Sequence, residues 1–182
     1  LVKNQKFDSA ILTPSTKEEY GKHDMPISKK EIINQKLVDK DVYELAEKYA
    51  LQLFSEGEKW AKQQGLILVD TKYEFGLVDG ELIVIDEIHT PDSSRYWIAD
   101  EYETRFQNGD DQLMLDKENI RQWLISKGFS GDGTPPELDD DIRILLSEKY
   151  IELYKILTGQ DFEPSIGDVS DRIQTNLKNA GF

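Results

Sequence analysis

The chain contains no cysteine, and only two histidines and two methionines. The first absence excludes disulfides and thiolate metal sites, and it fits a reducing cytosol. Two histidines, His23 and His89, are thin material for an imidazole metal centre, and packing or hydrogen bonding is the plainer role for each. Basic side chains are also scarce. There are 22 Lys and Arg against 36 Asp and Glu, a net charge of −14. That balance repels phosphate backbones and anionic lipid headgroups alike, so nucleic acid and membrane surfaces are poor partners. It leaves room for a small anionic substrate, because a few cations can focus a local positive field. No apolar run approaches the length of a membrane span. The opening residues, LVKNQKFDSA, lack the apolar core of a secretory signal. They also lack an initiator Met, so the chain reads as a fragment or a processed product. Internal repeats and low-complexity segments are missing too.

What remains is enough for one globular unit. The chain has 182 residues, 38% hydrophobic and 10% aromatic, so it can bury a core. The first part contains a short apolar run, Ala10 to Leu12, which reads as a strand leading into a long loop. Ser28-Lys29-Lys30-Glu31 is a capping box and predicts a helix from Lys29. Asp41 to Gln64 is helical by its three- and four-residue apolar spacings, with Gly65 as the stop. Gly57 inside that run is out of place, costing about 1 kcal/mol relative to Ala. Trp97 to Leu113 reads as polar and irregular. Asp116 caps a helix over Lys117 to Lys127, closed by Gly128. Pro136 opens a long helix to about Leu157, with Gly159 as its stop. Asp139, Asp140 and Asp141 fall in its first turn, where negative charge offsets the helix dipole. A short helix, about Asp171 to Asn179, ends the chain. The architecture is α+β, an antiparallel sheet backed by helices.

The most informative stretch is LVDTKYEFGLVDGELIVIDEIHTPDSSRYW, Leu68 to Trp97. Asp79-Gly80 between two aliphatic runs signals a β-hairpin. On a strand, Asp70, Lys72 and Glu74 share one face, and Val69, Thr71, Tyr73 and Phe75 the other. A solvated ladder of charges would be worth little. The second strand, Leu82 to Ile85, is wholly apolar and reads as covered, so the carboxylates of Asp86 and Glu87 at its end call for compensation. A divalent cation supplies it, and Mg2+ favours one or two carboxylates plus phosphate oxygens. A three-residue loop of Val78, Asp79 and Gly80 would place Asp86 across from Lys72 and diagonal to Glu74; a two-residue turn would set Glu74 against Ile85 and send Asp86 to the opposite face, where it could not share a metal with Glu74. The three-residue loop is expected. Immediately afterwards come Ser93, Ser94 and Arg95. The hydroxyls and turn amides are donors to an anion, and Arg95 can grip phosphate or carboxylate with a two-pronged fork. In isolation this is an ordinary surface turn. Beside a metal-holding hairpin it suits phosphoryl transfer to a second anionic substrate.

ILTPSTKEEYGKHDMPIS, LVDTKYEFG, IDEIHTPDSSRYW and KYIELYKILTG together resemble the phosphoribosylaminoimidazole-succinocarboxamide synthase (SAICAR synthetase) family of purine biosynthesis, in order and spacing, from about residue 1 to Gly159. The resemblance implies a nucleotide-binding architecture akin to ATP-grasp enzymes and protein kinases. It implies a ligase that joins L-aspartate to carboxyaminoimidazole ribotide with ATP hydrolysed to ADP and phosphate, through an acyl phosphate, in the cytoplasm. ATP and Mg2+ are the implied cofactors, with Glu74 and Asp86 as ligands of the Mg2+–ATP. Arg95 and Ser93, with Asp92 and Ser94 of the same motif, fall at the ribotide phosphate. Lys72 and Asp70 fall near the reacting carboxylate or the incoming aspartate, and Lys17 and Asp24 are further active-site residues. Family members carry an N-terminal domain that this chain lacks, so the chain is expected to be the C-terminal part and inactive alone. Its expected divisions are a substrate loop (1–28), a helical part (29–65), the metal hairpin and anion loop (66–97) and a helical C-terminal part (98–182). A homo-oligomer stays open. So do a kinase-like phosphotransferase, which would release ADP without aspartate, and a non-catalytic nucleotide-binding module.

Overall fold

The computed structural model describes residues 2–18, 23–131 and 133–182. Two helices, four strands and four further helices follow one another along it: α1 (Lys29–Asn34), α2 (Lys40–Gln63), β1 (Leu66–Thr71), β2 (Phe75–Val78), β3 (Glu81–Val84), β4 (Ser94–Ile98), α3 (Ala99–Asn108), α4 (Glu118–Ser126), α5 (Asp140–Thr158) and α6 (Val169–Asn179). The fold is α+β. Sequence signals set most helix ends. Ser28 and Glu31 close the capping box on α1. Gly65 and Gly159 end α2 and α5 in the left-handed region, at φ +74° and +68°, where a side chain would be strained. Asp139 caps α5 by accepting from the Ile142 amide at 3.0 Å, so that helix starts past Pro135 and Pro136 and not on them.

The core gathers where α2 and α5 meet the β1–β4 pair. Ala61, Leu66, Leu68, Tyr96, Leu115 and Leu153 are buried together, with Phe54, Ile98, Ile156 and Leu157 packed against them. The Trp60 indole donates to the Leu157 carbonyl at 2.9 Å, pinning α2 to the end of α5.

Four expectations fail. Residues 10–12 form no strand; the order in that region comes from a Ser15–Pro26 bridge. Residues 99–108 are helical, not irregular: Tyr102 stacks on Trp97 (centroids 5.9 Å apart) and on Phe106 one turn on (5.8 Å), and Gly109 stops the helix at φ +75°. The hairpin has a two-residue turn. Val78 pairs with Glu81, and Asp79 and Gly80 both take left-handed conformations (φ +51° and +86°), a type I′ turn. Nor is the second hairpin strand covered: Ile83 and Ile85 are 40% and 56% exposed.

Strand β1 does not join that hairpin. It pairs antiparallel with β4, in register Leu66–Ile98, Ile67–Trp97 and Leu68–Tyr96. A bulge at Val69 then shifts the partners to Asp70–Arg95 and Thr71–Ser94. The bulge reverses which side chains face inward. Leu66 and Leu68 face the core before it. After it, Asp70 turns outward with Arg95, while Thr71 meets the buried Ser94.

Candidate active site

Two clusters of charge lie along this outward side. The first is the Asp70–Arg95 pair. Arg95 Nε donates to both carboxylate oxygens at 3.0 Å, and a terminal nitrogen also bonds Oδ2. The fork is about half-exposed (Arg95 42%, Asp70 48% of side-chain surface), so one edge of the guanidinium is left toward solvent. Hydrogen bonding to Asp70 raises the Arg95 pKa further, against its partial burial. Beneath it the seam is tied by hydroxyls: Ser94 Oγ donates to Thr71 Oγ1 at 2.8 Å and lies 3.2 Å from Ser93 Oγ. Ser94 is 1% exposed, so its hydroxyl serves the seam and not the surface.

The second cluster sets two ammonium groups among carboxylates. Between β1 and β2 the chain leaves the sheet for residues 72–74. Lys72 Nζ lies 2.7 Å from Glu74 Oε1 and 3.8 Å from Asp24 Oδ2, and Lys17 Nζ takes Glu74 Oε2. Hydrogen bonds from Lys17 first and Lys72 second hold the Glu74 carboxyl below the usual carboxylate range. The Glu74 bond, then the charges of Glu74, Asp24 and Asp86, hold the Lys72 ammonium above its ordinary value. Lys17 and Asp24 lie on two segments joined by backbone bonds, in which Thr16 N–H donates to the Met25 carbonyl at 2.9 Å and Ile27 N–H to the Pro14 carbonyl at 3.0 Å, and Asp24 Oδ1 accepts from Glu18 N–H at 3.1 Å.

Asp86 influences this cluster only as the smallest of the charges acting on Lys72. Glu74 faces Ile85, whose N–H donates to the Glu74 carbonyl at 3.0 Å. Strict alternation would then send Asp86 to the other face, but β3 ends at Val84 and the chain bends at Asp86. Its charge therefore acts on Lys72. Among the described residues no three His, Cys, Asp or Glu side chains gather as a protein-only metal cage. A Glu–Asp pair completed by phosphate oxygens is instead the usual chemistry of Mg2+.

The loop between β3 and β4 links the clusters. Thr90 Oγ1 donates to Glu87 and accepts from the Ser93 amide at 3.3 Å. Asp92 is mostly exposed, 3.8 Å from Lys117 Nζ. His89 sits at φ +57° with its ring nitrogen Nε2 2.5 Å from the Tyr73 hydroxyl, and its carbonyl accepts from Tyr96 Oη at 2.8 Å. Burial lowers the His89 pKa and pushes the Tyr96 hydroxyl up to about 12. Gly57 now has a reason: a Cβ there would stand 2.4 Å from His89 Cε1 and 2.8 Å from Leu68 Cδ2. The glycine is the notch in α2 that receives the histidine. Thr71, Tyr73 and Thr90 carry no sequence signal for these roles; Gly57 did, as a residue out of place in a helix.

The SAICAR synthetase family model matches residues 1–136. This chain belongs to the SAICAR synthetase family. It is 48% identical over 179 residues to the phosphoribosylaminoimidazole-succinocarboxamide synthase of Bacteroides thetaiotaomicron, covering 97% of this chain and 57% of that protein. It is 45% identical over 181 residues to that of Flavobacterium psychrophilum, again 97% of this chain and 57% of the relative. Among solved structures, the SAICAR synthase of Saccharomyces cerevisiae complexed with SAICAR superposes with a TM-score of 0.68 at 34% identity, over 88% of this chain and 50% of that one. The Pyrococcus horikoshii enzyme gives a TM-score of 0.55 at 27% identity, over 78% and 49%. The chain thus spans a little over half the length of the curated relatives it matches.

Proposed function

We propose that this chain supplies one wall of the active site of an ATP-dependent ligase. That ligase joins the amine of L-aspartate to the carboxylate of carboxyaminoimidazole ribotide and releases SAICAR, ADP and phosphate. The observation that carries the reading is the adjacency of the two clusters: Lys72 stands two residues after Asp70, and its N–H donates to the Ser93 carbonyl, beside Ser94 and Arg95, at 3.0 Å. A guanidinium fork on β4 faces outward beside a pair of ammonium groups, with the Glu74 carboxylate between them and the Asp86 charge felt at Lys72.

In this reading the free edge of Arg95 takes the ribotide phosphate, with Ser93 and the turn amides as further donors. Asp70 holds the fork flat and fixes its direction. Asp92 stands at the rim, and Ser94 braces the loop from inside. Lys72 neutralises the carboxylate that is to be phosphorylated. Lys17 and Asp24 close over the same spot from the opposite turn, so that charge is balanced before the aspartate amine displaces phosphate. Glu74 and Asp86 would hold Mg2+, which supplies charge neutralisation at the nucleotide phosphates. Glu74 is already held by two ammonium groups, so the cation shares or replaces them. The remaining length of the relatives supplies the rest of the cleft, and residues 1–182 act as its C-terminal part. The composition and the soluble, small-molecule chemistry favour the cytoplasm.

The test is ADP release with Mg–ATP, carboxyaminoimidazole ribotide and L-aspartate, omitting each in turn. A requirement for all three is the expected result. Release without aspartate would favour a kinase-like phosphotransferase. No release, rescued by adding the segment that the relatives carry and this chain does not, would mark a divided active site. No release even then would overturn the ligase.

A further inference from the structure

One buried ionisable group has no part in the chemistry above. Asp116 is 0% exposed, although a carboxylate is costly to bury unless its oxygens are fully used. Both are used, by backbone amides. Oδ1 accepts from Glu118 N–H at 2.8 Å, and Oδ2 accepts from Tyr96 N–H at 2.8 Å. The first bond is a cap for α4, which Ser, Thr or Asn would make equally well. The second is what requires a carboxylate.

Residues 113–115 run antiparallel to the free edge of β4. Ile98 N–H donates to the Leu113 carbonyl at 3.1 Å, Trp97 faces Met114, and Leu115 N–H donates to the Tyr96 carbonyl at 3.2 Å. In a regular ladder Tyr96 N–H would return its bond to the Leu115 carbonyl. Here it goes to the Asp116 side chain, because the chain is already turning into α4. The carboxylate thus replaces a rung of the sheet at the residue beside Arg95. Lys117 N–H, at 3.4 Å from the Pro91 carbonyl, ties the same turn to the loop that carries Ser93. Two N–H donors converge on one side chain. An amide offers a single oxygen and would set its own NH2 against the second donor.

We propose that Asp116 is the positioning residue for Arg95, holding β4 from its far edge so that the guanidinium keeps its aim at the substrate phosphate. This rests on the phosphate role given to Arg95 above. It does not depend on Asp116 touching substrate.

The test uses Asp116→Asn in the full chain with two readouts. The first is solvent exchange of the Arg95 Nε–H by NMR, which the Asp70 contact protects. Exchange is expected to quicken at least tenfold while the melting transition persists. The second, in the active enzyme, is the split of kinetic constants: KM for the ribotide rises about tenfold, as for a weakened Arg–phosphate contact, with KM for Mg–ATP within twofold. Should Asp116→Asn fail to fold, Asp116→Ser keeps the α4 cap, removes the rung and answers with the same measurements. A lowered melting temperature with Arg95 exchange and the KM ratio unchanged would reduce Asp116 to a structural cap and overturn the proposal. If the wild-type chain never shows ligase activity, the function proposed above falls, and the exchange measurement still decides the link from Asp116 to Arg95.

Discussion

Asp70 and Glu74 are both carboxylates bound to cations, four residues apart in sequence, yet they are built in opposite ways. Asp70 and Arg95 sit directly across a strand pair. The buried Ser94–Thr71 bond lies beneath them, and the Asp116 rung holds the next residue of β4. Glu74 stands on a stretch without sheet structure. One partner, Lys17, comes from a distant loop with 74% of its side chain exposed. Its other partner, Lys72, is also shared with Asp24. The first pair is aimed by backbone. The second is assembled by long side chains that lose little by moving. That difference suits the two tasks proposed. A ribotide phosphate has a fixed place, whereas nucleotide phosphates and their cation must enter, react and leave.

The rigid side should break by overpacking, and this is the largest effect expected. Gly57→Ala gains about 1 kcal/mol of helix propensity. It also drives a methyl into the His89 ring and Leu68, and an overfilled core costs about 1–3 kcal/mol, which offsets that gain and exceeds it where the ring cannot yield. Net destabilisation is expected as a lower urea midpoint with an unchanged slope. An unchanged midpoint would mean that the histidine is not locked in the notch. Next in size is Arg95→Lys. A single ammonium cannot reproduce the fork, so KM for the ribotide should rise roughly tenfold or more, about 1.4 kcal/mol. Lys17→Met should weaken nucleotide binding and lower kcat, because a charge balancing the reacting carboxylate is lost, while raising the ribotide KM much less than Arg95→Lys does. If the two variants affect both substrates equally, the division between aimed and adjustable clusters is wrong.

The pH dependence separates the halves again. Partial burial of His89 disfavours its charged form, so its pKa in the fold lies below the ordinary 6.5. The stability it contributes is complete above 6.5 and is lost as pH falls through its lowered value. Glu74 is also depressed, from 4.5, and its contribution is kept above 4.5 and lost as pH falls below it. The melting temperature should therefore decline in two stages. His89→Gln should flatten the upper stage and Glu74→Gln the lower. A profile in which His89→Gln alters the lower stage would contradict the assignment.

Much of the fold was legible because helix ends are written locally. The Ser28 box, the Gly65 and Gly159 stops and the Asp116 cap each need only a few neighbours in sequence. The site residues were legible as a set, through the motif LVDTKYEFG and the PDSSR turn. What could not be read was who pairs with whom. The alternation of Asp70, Lys72 and Glu74 suggests one continuous face on one hairpin. In fact β1 leaves that hairpin to pair with β4, a contact across some 25 residues. The bulge at Val69 is set by that distant partner and leaves no local mark. Likewise Gly57 is a defect by helix propensity and a necessity by tertiary contact. The helix over 99–108 hides because its polar residues outweigh the Tyr102–Phe106 spacing that holds it.

The smallest effects belong to the hairpin tip, and they test whether the two clusters are mechanically independent. Asp79 and Gly80 both lie in the left-handed region. Gly80→Ala should cost about 1 kcal/mol locally, since a Cβ is strained there although it meets no neighbouring atom within 4 Å. Asp79→Asn suits the same turn and should be neutral or better by a few tenths of a kcal/mol. Among the described residues, strands β2 and β3 pair only with each other. Loosening their turn should therefore speed hydrogen exchange of their own amides and weaken the hold on Glu74 at one end and Asp86 at the other. The Arg95 Nε–H should not respond, because its strand is fixed by β1 and by Asp116. A change at Arg95 in Gly80→Ala would mean that the hairpin and the β1–β4 seam move as one body, and that the nucleotide and ribotide sites are coupled through residues 72–74.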